Sequence, residues 1–151
     1  ISAANAVLSL SLGLAAFAAA LSVSVAGGRI TAKGWMAAGV VLWALLAGAS
    51  IALSSRPVTV VIGEGSYCFT FVVTAGLPMI AVAVAALRRT RSLTPKRSLA
   101  AAGMAIAFLS FGLLAFCHPA EMSMADFLMH ILAALTLGAI TVLIGRPAIR
   151  I

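Results

Sequence analysis

Five stretches of this chain are each long and apolar enough to reach across a bilayer, and that repetition restricts the fold more than any other feature. Crossing the hydrocarbon core takes about 20 helical residues. Apolar runs near that length occupy residues 7–26, 35–53, 67–87, 98–116 and 126–144. They are too long and too rich in Ala and Leu for buried strands. Lipid offers no partner to backbone N–H and C=O groups, which leaves helices or closed barrels. Barrel strands alternate in polarity, and these runs do not. The expected fold is therefore all-α: a polytopic transmembrane helix bundle with five spans, forming a single domain over residues 1–151. Composition agrees, because 9% charged residues against 64% hydrophobic ones falls far short of the quarter or so that a water-soluble surface carries.

Local signals divide the runs. Gly27-Gly28 stops the first. Arg56-Pro57 and Gly63-Glu64-Gly65 mark a longer loop, within which residues 58–62 read as a short strand or an interfacial segment. Ser123 and Asp126 have the spacing of a capping box opening the fifth helix. Pro78 predicts a kink in the third. Ser9 with Gly13, and Ala16 with Ala20, have the small-xxx-small spacing that lets membrane helices approach closely. Trp35 and Tyr67 suit the interfacial belts.

The net charge of +7 would suggest nucleic acid in a soluble protein. Here its distribution gives another account. Setting the loop around residues 88–97 in the cytoplasm places Arg29, Lys33, Arg88, Arg89, Arg91, Lys96, Arg97, Arg146 and Arg150 inside. Those are nine of the ten basic residues; Arg56 and all three acids, Glu64, Glu121 and Asp126, fall outside. Such a split is the positive-inside rule, so the expected partner is the lipid bilayer, with no direct contact to nucleic acid. The basic loop, with Arg88, Arg89, Arg91, Lys96 and Arg97, reads as a topology determinant touching anionic headgroups or as a docking surface for a protein. Five spans set Ile1 outside. A further upstream helix would return the amino terminus to the cytoplasm.

The two cysteines lie symmetrically about that loop. Cys68 opens the third run and Cys117 closes the fourth, each about 20 residues from the loop. At about 1.5 Å per residue that is about 30 Å, one bilayer core, so both thiols fall at the outer side. Neighbouring helix axes lie about 8–10 Å apart, and a disulfide needs Cα atoms about 4.4–6.8 Å apart. The pair can meet only if both face the shared interface or a helix end bends. Three readings stay open: ordinary buried thiols, a disulfide favoured by an oxidising compartment, or a site for a soft or borderline divalent metal ion. His118 and Met122 are the candidate additional donors for the last, with Met124 nearby. Asp126 and His130, one turn apart on the fifth run, form a candidate polar pair, with His130 in a capping or interfacial role.

The chain holds no Ser-His-Asp constellation, phosphate loop or His-Glu-x-x-His motif, and no acid falls mid-membrane. Neither an enzyme nor an ion path is expected.

Three motifs resemble a known family. They are two helices joined by LRRTRSLTP, the Ser66-Tyr67-Cys68-Phe69 start of the third span, and the Cys117-His118-Pro119-Ala120-Glu121 turn about fifty residues later. Over residues 65–151 the chain is similar to the NrsF family of anti-sigma regulators of the bacterial inner membrane; before that the likeness rests on hydropathy. The resemblance implies a multi-pass inner-membrane protein of six helices, of which this chain carries five, lacking the amino-terminal segment and first helix. It implies negative regulation of an extracytoplasmic-function (ECF) sigma factor, gripped through that amino-terminal segment. It also implies redox or heavy-metal sensing through Cys68 and Cys117. The contrasting reading is a structural accessory subunit of a larger membrane complex, in contact with other membrane subunits.

Overall fold

The computed structural model describes residues 2–25, 33–53, 66–90, 94–117 and 123–149. They form five helices: α1 (Ser2–Ser24), α2 (Lys33–Leu53), α3 (Ser66–Thr90), α4 (Pro95–Cys117) and α5 (Met124–Ile149). All five are long and apolar enough to cross a membrane, and no strand occurs among the described residues. Gly27-Gly28 and the segment 58–62, read above as a strand or interfacial stretch, lie outside the described residues.

Helix α4 starts before its apolar run because a polar residue caps it. Thr94 accepts the first main-chain bonds of α4, from the N–H groups of Arg97 (3.1 Å) and Ser98 (3.2 Å), and Pro95 occupies the first helical position, where its missing N–H costs nothing. The helix therefore begins three residues before the apolar run at 98. Helix α5 continues past 144, through Gly145 and Pro147, to Ile149. Helix α3 runs unbroken through Pro78.

Helix α4 is the axis of the bundle. Of its span 61% is buried, against 11% for α2. Its main partners are α1, α5 and α3. The α1 seam uses the small residues singled out from spacing: Ser9, Gly13, Ala16 and Ala20 are all buried. A Cβ added at Gly13 would come within 2.9 Å of the Leu109 backbone nitrogen, and one at Gly112 within 2.4 Å of Leu10. Lipid tails are as apolar as leucine, so no hydrophobic force drives these helices together; close backbone approach and dispersion do. The same pairs fix an antiparallel register. Carried along the seam, it sets Ser24 level with Ser98 at one end and Asn5 level with Cys117 at the other.

Helix α5 approaches α4 as closely. A Cβ at Gly103 would lie 2.9 Å from the Cα of Gly138, so the two backbones touch. Leu137 fills the space above Gly76 of α3, where a Cβ would come within 2.6 Å of it, and Leu137, Ile106 and Val72 are fully buried. Helix α2 is attached differently. Its large buried residue is Trp43, whose ring stacks on Phe111 (5.6 Å, 11°) and Phe127 (6.0 Å, 28°) and meets Phe108 edge-on (5.5 Å, 88°). Leu14, Leu45, Val82, Leu135 and Leu143 point outward, as a surface in contact with acyl chains requires.

Candidate functional site at the Cys68 end

Helices α1, α3 and α5 start at one end of the bundle, where α2 and α4 finish. This end gathers the polar chemistry. The opposite end carries exposed Arg88 and Arg89 at the close of α3 and exposed Lys96 and Arg97 in the first turn of α4. Arg146, partly buried, joins them from the last turn of α5. Thr94 ties that basic end together by donating its hydroxyl to the Val23 carbonyl at the close of α1 (3.3 Å). Arg91 lies outside the described residues.

At the polar end, α5 opens on a reciprocal cap. The Ser123 hydroxyl accepts the Asp126 N–H (3.1 Å). One oxygen of the Asp126 carboxylate, Oδ2, accepts both the Ser123 N–H (3.1 Å) and the Ser123 hydroxyl (2.8 Å). This is the capping-box spacing realised with Asp in the position Glu usually takes. The second oxygen, Oδ1, faces α3, where the half-buried Cys68 thiol donates to it at 3.5 Å. Cys68 is a free thiol. The carboxylate is thus held by its own helix through one oxygen and presents the other to a neighbouring helix.

His130 lies one turn further in. It meets Asp126 through main chain: its Nδ1 sits 2.5 Å from the Asp126 carbonyl oxygen, and the carboxylate is engaged elsewhere. The ring is buried, 6% exposed, and packs on Phe111 of α4 with ring centroids 4.9 Å apart. That position is deeper than the capping or interfacial role read from its spacing. The reason is periodicity: His130, Ala133, Leu137 and Thr141 form one buried face of α5.

Cys117 is the last residue of α4. It follows Gly103 and Ser110 at two-turn intervals along the helix. Gly76 of α3 lies against Ile106 of α4, with a prospective Cβ 3.2 Å from its side chain. Counting outward from that contact, Cys68 and Cys117 reach the same end of the bundle, offset along the axis by about one turn. His118 and Met122 lie outside the described residues. Among the described residues no three potential metal ligands converge.

Two polar groups nearby had no sequence signal. Asn5 Oδ1 is buried with no hydrogen-bond partner among the described residues, level with the end of α4. The Ser110 hydroxyl, fully buried on the Cys117 face of α4, is likewise unpartnered. Other helix hydroxyls return to the preceding turn, as Ser9 does to the Asn5 carbonyl (2.8 Å) and Thr141 to that of Leu137 (2.6 Å). Asn5 and Ser110 look like any polar residue in an apolar run until the register of α1 on α4 is known.

Neither the curated proteins nor the solved structures hold a match to this chain. A sequence model of one family does match, over residues 2–151, and it is described as negative regulator of sigma F. The match reaches back through α1 and α2, beyond the stretch whose motifs carried the resemblance. The chain belongs to the NrsF family, whose members negatively regulate a sigma factor.

Proposed function

We propose that this protein is a membrane-embedded anti-sigma regulator of an ECF sigma factor, and that its Cys68 end receives the signal. Cys68 and Cys117 are the receiving groups, answering to an oxidant or to a soft or borderline divalent metal. The observation that carries this reading is the polarity of the bundle. Both cysteines belong to one end, and the cationic residues that anchor a cytoplasmic face belong to the other. A thiol at the outer end of an inner-membrane bundle meets an oxidising compartment, and the sigma factor lies on the far side. A signal shifts such a protein only through different free energy in its two states. A bond between α3 and α4 near Cys68 supplies that difference, because it ties together two helices that pack against each other there.

The test is made in cells. Cys68→Ser and Cys117→Ser variants are challenged with Cd2+ or a thiol oxidant while a sigma-dependent transcript is followed. The expected result is repression as in the parent before challenge and loss of induction after it. Unchanged induction in both variants rules out the thiols as the receiving groups. Labelling with a membrane-impermeant maleimide, with and without reductant, adds the sidedness: protection from outside under every condition contradicts the outward placement.

The accessory-subunit reading draws on one observation, that only 11% of the α2 span is buried. It predicts that α2 crosslinks to a different membrane protein and that the cysteine variants have no transcriptional effect.

A further inference from the structure

We propose that the basic end of the bundle binds an anionic phospholipid, with the phosphate between Lys96 of α4 and Arg146 of α5 and an acyl chain along the outer face of α5. The argument begins with a missing counter-charge. The acids of the chain are Glu64, Glu121 and Asp126. Asp126 caps the start of α5. Glu64 precedes the start of α3 by two residues and Glu121 precedes that of α5 by three, which is at most about 10 Å of chain. Helices α3 and α5 have 25 and 26 residues and are each about 38 Å long. No side-chain carboxylate of these residues therefore reaches the end that carries Arg88, Arg89, Lys96, Arg97 and Arg146. Their counter-charge has to come from another molecule.

The seam between α4 and α5 gathers two of these cations. Leu99 of α4 fills the space above Gly145 of α5, where an added Cβ would collide with it. Lys96 precedes Leu99 by three residues and Gly103 by seven, on the same face of α4. It thus follows Leu99 to the end of the seam. Arg146 adjoins Gly145 and is partly buried. Two like charges stand about one turn apart in height at the mouth of one seam. They repel, and partial removal from water strengthens both that repulsion and the pull on an anion placed between them. Helix stability does not account for Lys96, because the first turn of a helix disfavours a cation.

The surface below the cations selects a lipid over an acidic protein segment. Leu132, Leu135, Ala139 and Leu143 are exposed and follow one another at three- and four-residue steps, with Arg146 next in the same series. An apolar stripe on α5 therefore runs directly up to a guanidinium. An acidic segment would meet the charges and leave the stripe unused. A phospholipid meets both, with its chain along Leu135 and Leu143 and its phosphate at Lys96 and Arg146. Basic pockets between membrane helices recognise headgroups by this chemistry.

The experiment titrates the full chain, held in a neutral detergent, with phosphatidylglycerol or phosphatidylcholine and counts bound lipid by native mass spectrometry. Three double variants are compared with the parent. Lys96→Gln with Arg146→Gln removes both charges of the site. Lys96→Arg with Arg146→Lys keeps them. Arg88→Gln with Arg89→Gln removes the same charge from the end of α3. The parent is expected to bind phosphatidylglycerol more tightly than phosphatidylcholine. The first variant should lose about thirtyfold of that affinity, about fivefold per cation. The charge-keeping variant should bind as the parent does, and the α3 variant should lose less than the first. Equal losses in the two Gln variants would reduce the site to diffuse attraction and overturn the inference. So would a loss in the charge-keeping variant as large as in the first, since the effect would then lie in packing. A parent that does not distinguish the two lipids also overturns it, and leaves the basic end to an acidic surface of a partner protein. Displacement of bound phosphatidylglycerol by inorganic phosphate alone overturns the lipid as occupant.

Discussion

Helices α4 and α2 have nearly the same length and the same apolar character, yet one is the interior of the bundle and the other hangs on its edge. The difference lies in where the glycines fall. On α4, Gly103 and Gly112 are pressed against neighbouring helices, and a Cβ at either would collide. On α2, Gly39 alone is pressed in this way, against Leu12 of α1, and a Cβ at Gly34 or Gly48 would meet nothing within 4 Å. In a solvent as apolar as the side chains, hydropathy does not choose the inner helix; the ability to bring backbones together does. Helix α2 is attached along α1, where Leu12 sits over Gly39, and through Trp43, which inserts one large ring where α4 offers Phe108 and Phe111.

The contrast can be broken from its tight side first. Gly13→Leu places a branched side chain where even a Cβ would sit 2.9 Å from the α4 backbone. We expect a loss of about 3 kcal/mol, at the upper end for overpacking, measured by reversible unfolding in mixed micelles. Trp43→Ala is next. A buried Trp in a soluble core costs about 3–5 kcal/mol to truncate, but here the freed surface meets lipid instead of water. We expect about 2 kcal/mol, together with a selective rise in hydrogen exchange over α2 and none over α4. Ser123→Ala removes the cap of α5 and should cost about 1 kcal/mol, with faster exchange confined to the first turn of that helix. Gly48→Ala sharpens the comparison from the loose side: no neighbour is touched, so the change should stay within about 0.5 kcal/mol. A destabilisation by Gly48→Ala as large as that by Gly13→Leu would show that α2 is packed against something after all.

Much of this architecture is legible before any coordinates. Span number, helix type and the α5 cap follow from apolar length and from Ser123 with Asp126 three residues on. Even the seam residues of α1 announce themselves by spacing, although alanine-rich helices offer many such spacings and only packing selects among them. What the sequence does not carry is adjacency between distant helices. Nothing in residues 66–69 or 123–126 says that Cys68 will donate to Asp126, because that contact depends on α3 and α5 lying side by side, in the same direction, through the fit of Leu137 over Gly76. His130 illustrates the same limit. Its spacing from Asp126 suggests a surface pair, while its burial depends on Phe111 of another helix. The cationic end is the reverse case, since charge placement relative to a membrane is a one-dimensional property and can be read along the chain.

The contact between Gly103 and Gly138 has a mechanical consequence. Side chains interlock on either side of it, Phe111 of α4 against His130 and Leu99 of α4 over Gly145, so a change of crossing angle has to unseat one of them. Asp126 lies twelve residues from Gly138 on one side and Arg146 eight on the other, arms of about 18 and 12 Å at helical rise. Helix α5 therefore runs as one stiff span of about 30 Å from the Cys68 end to the basic end.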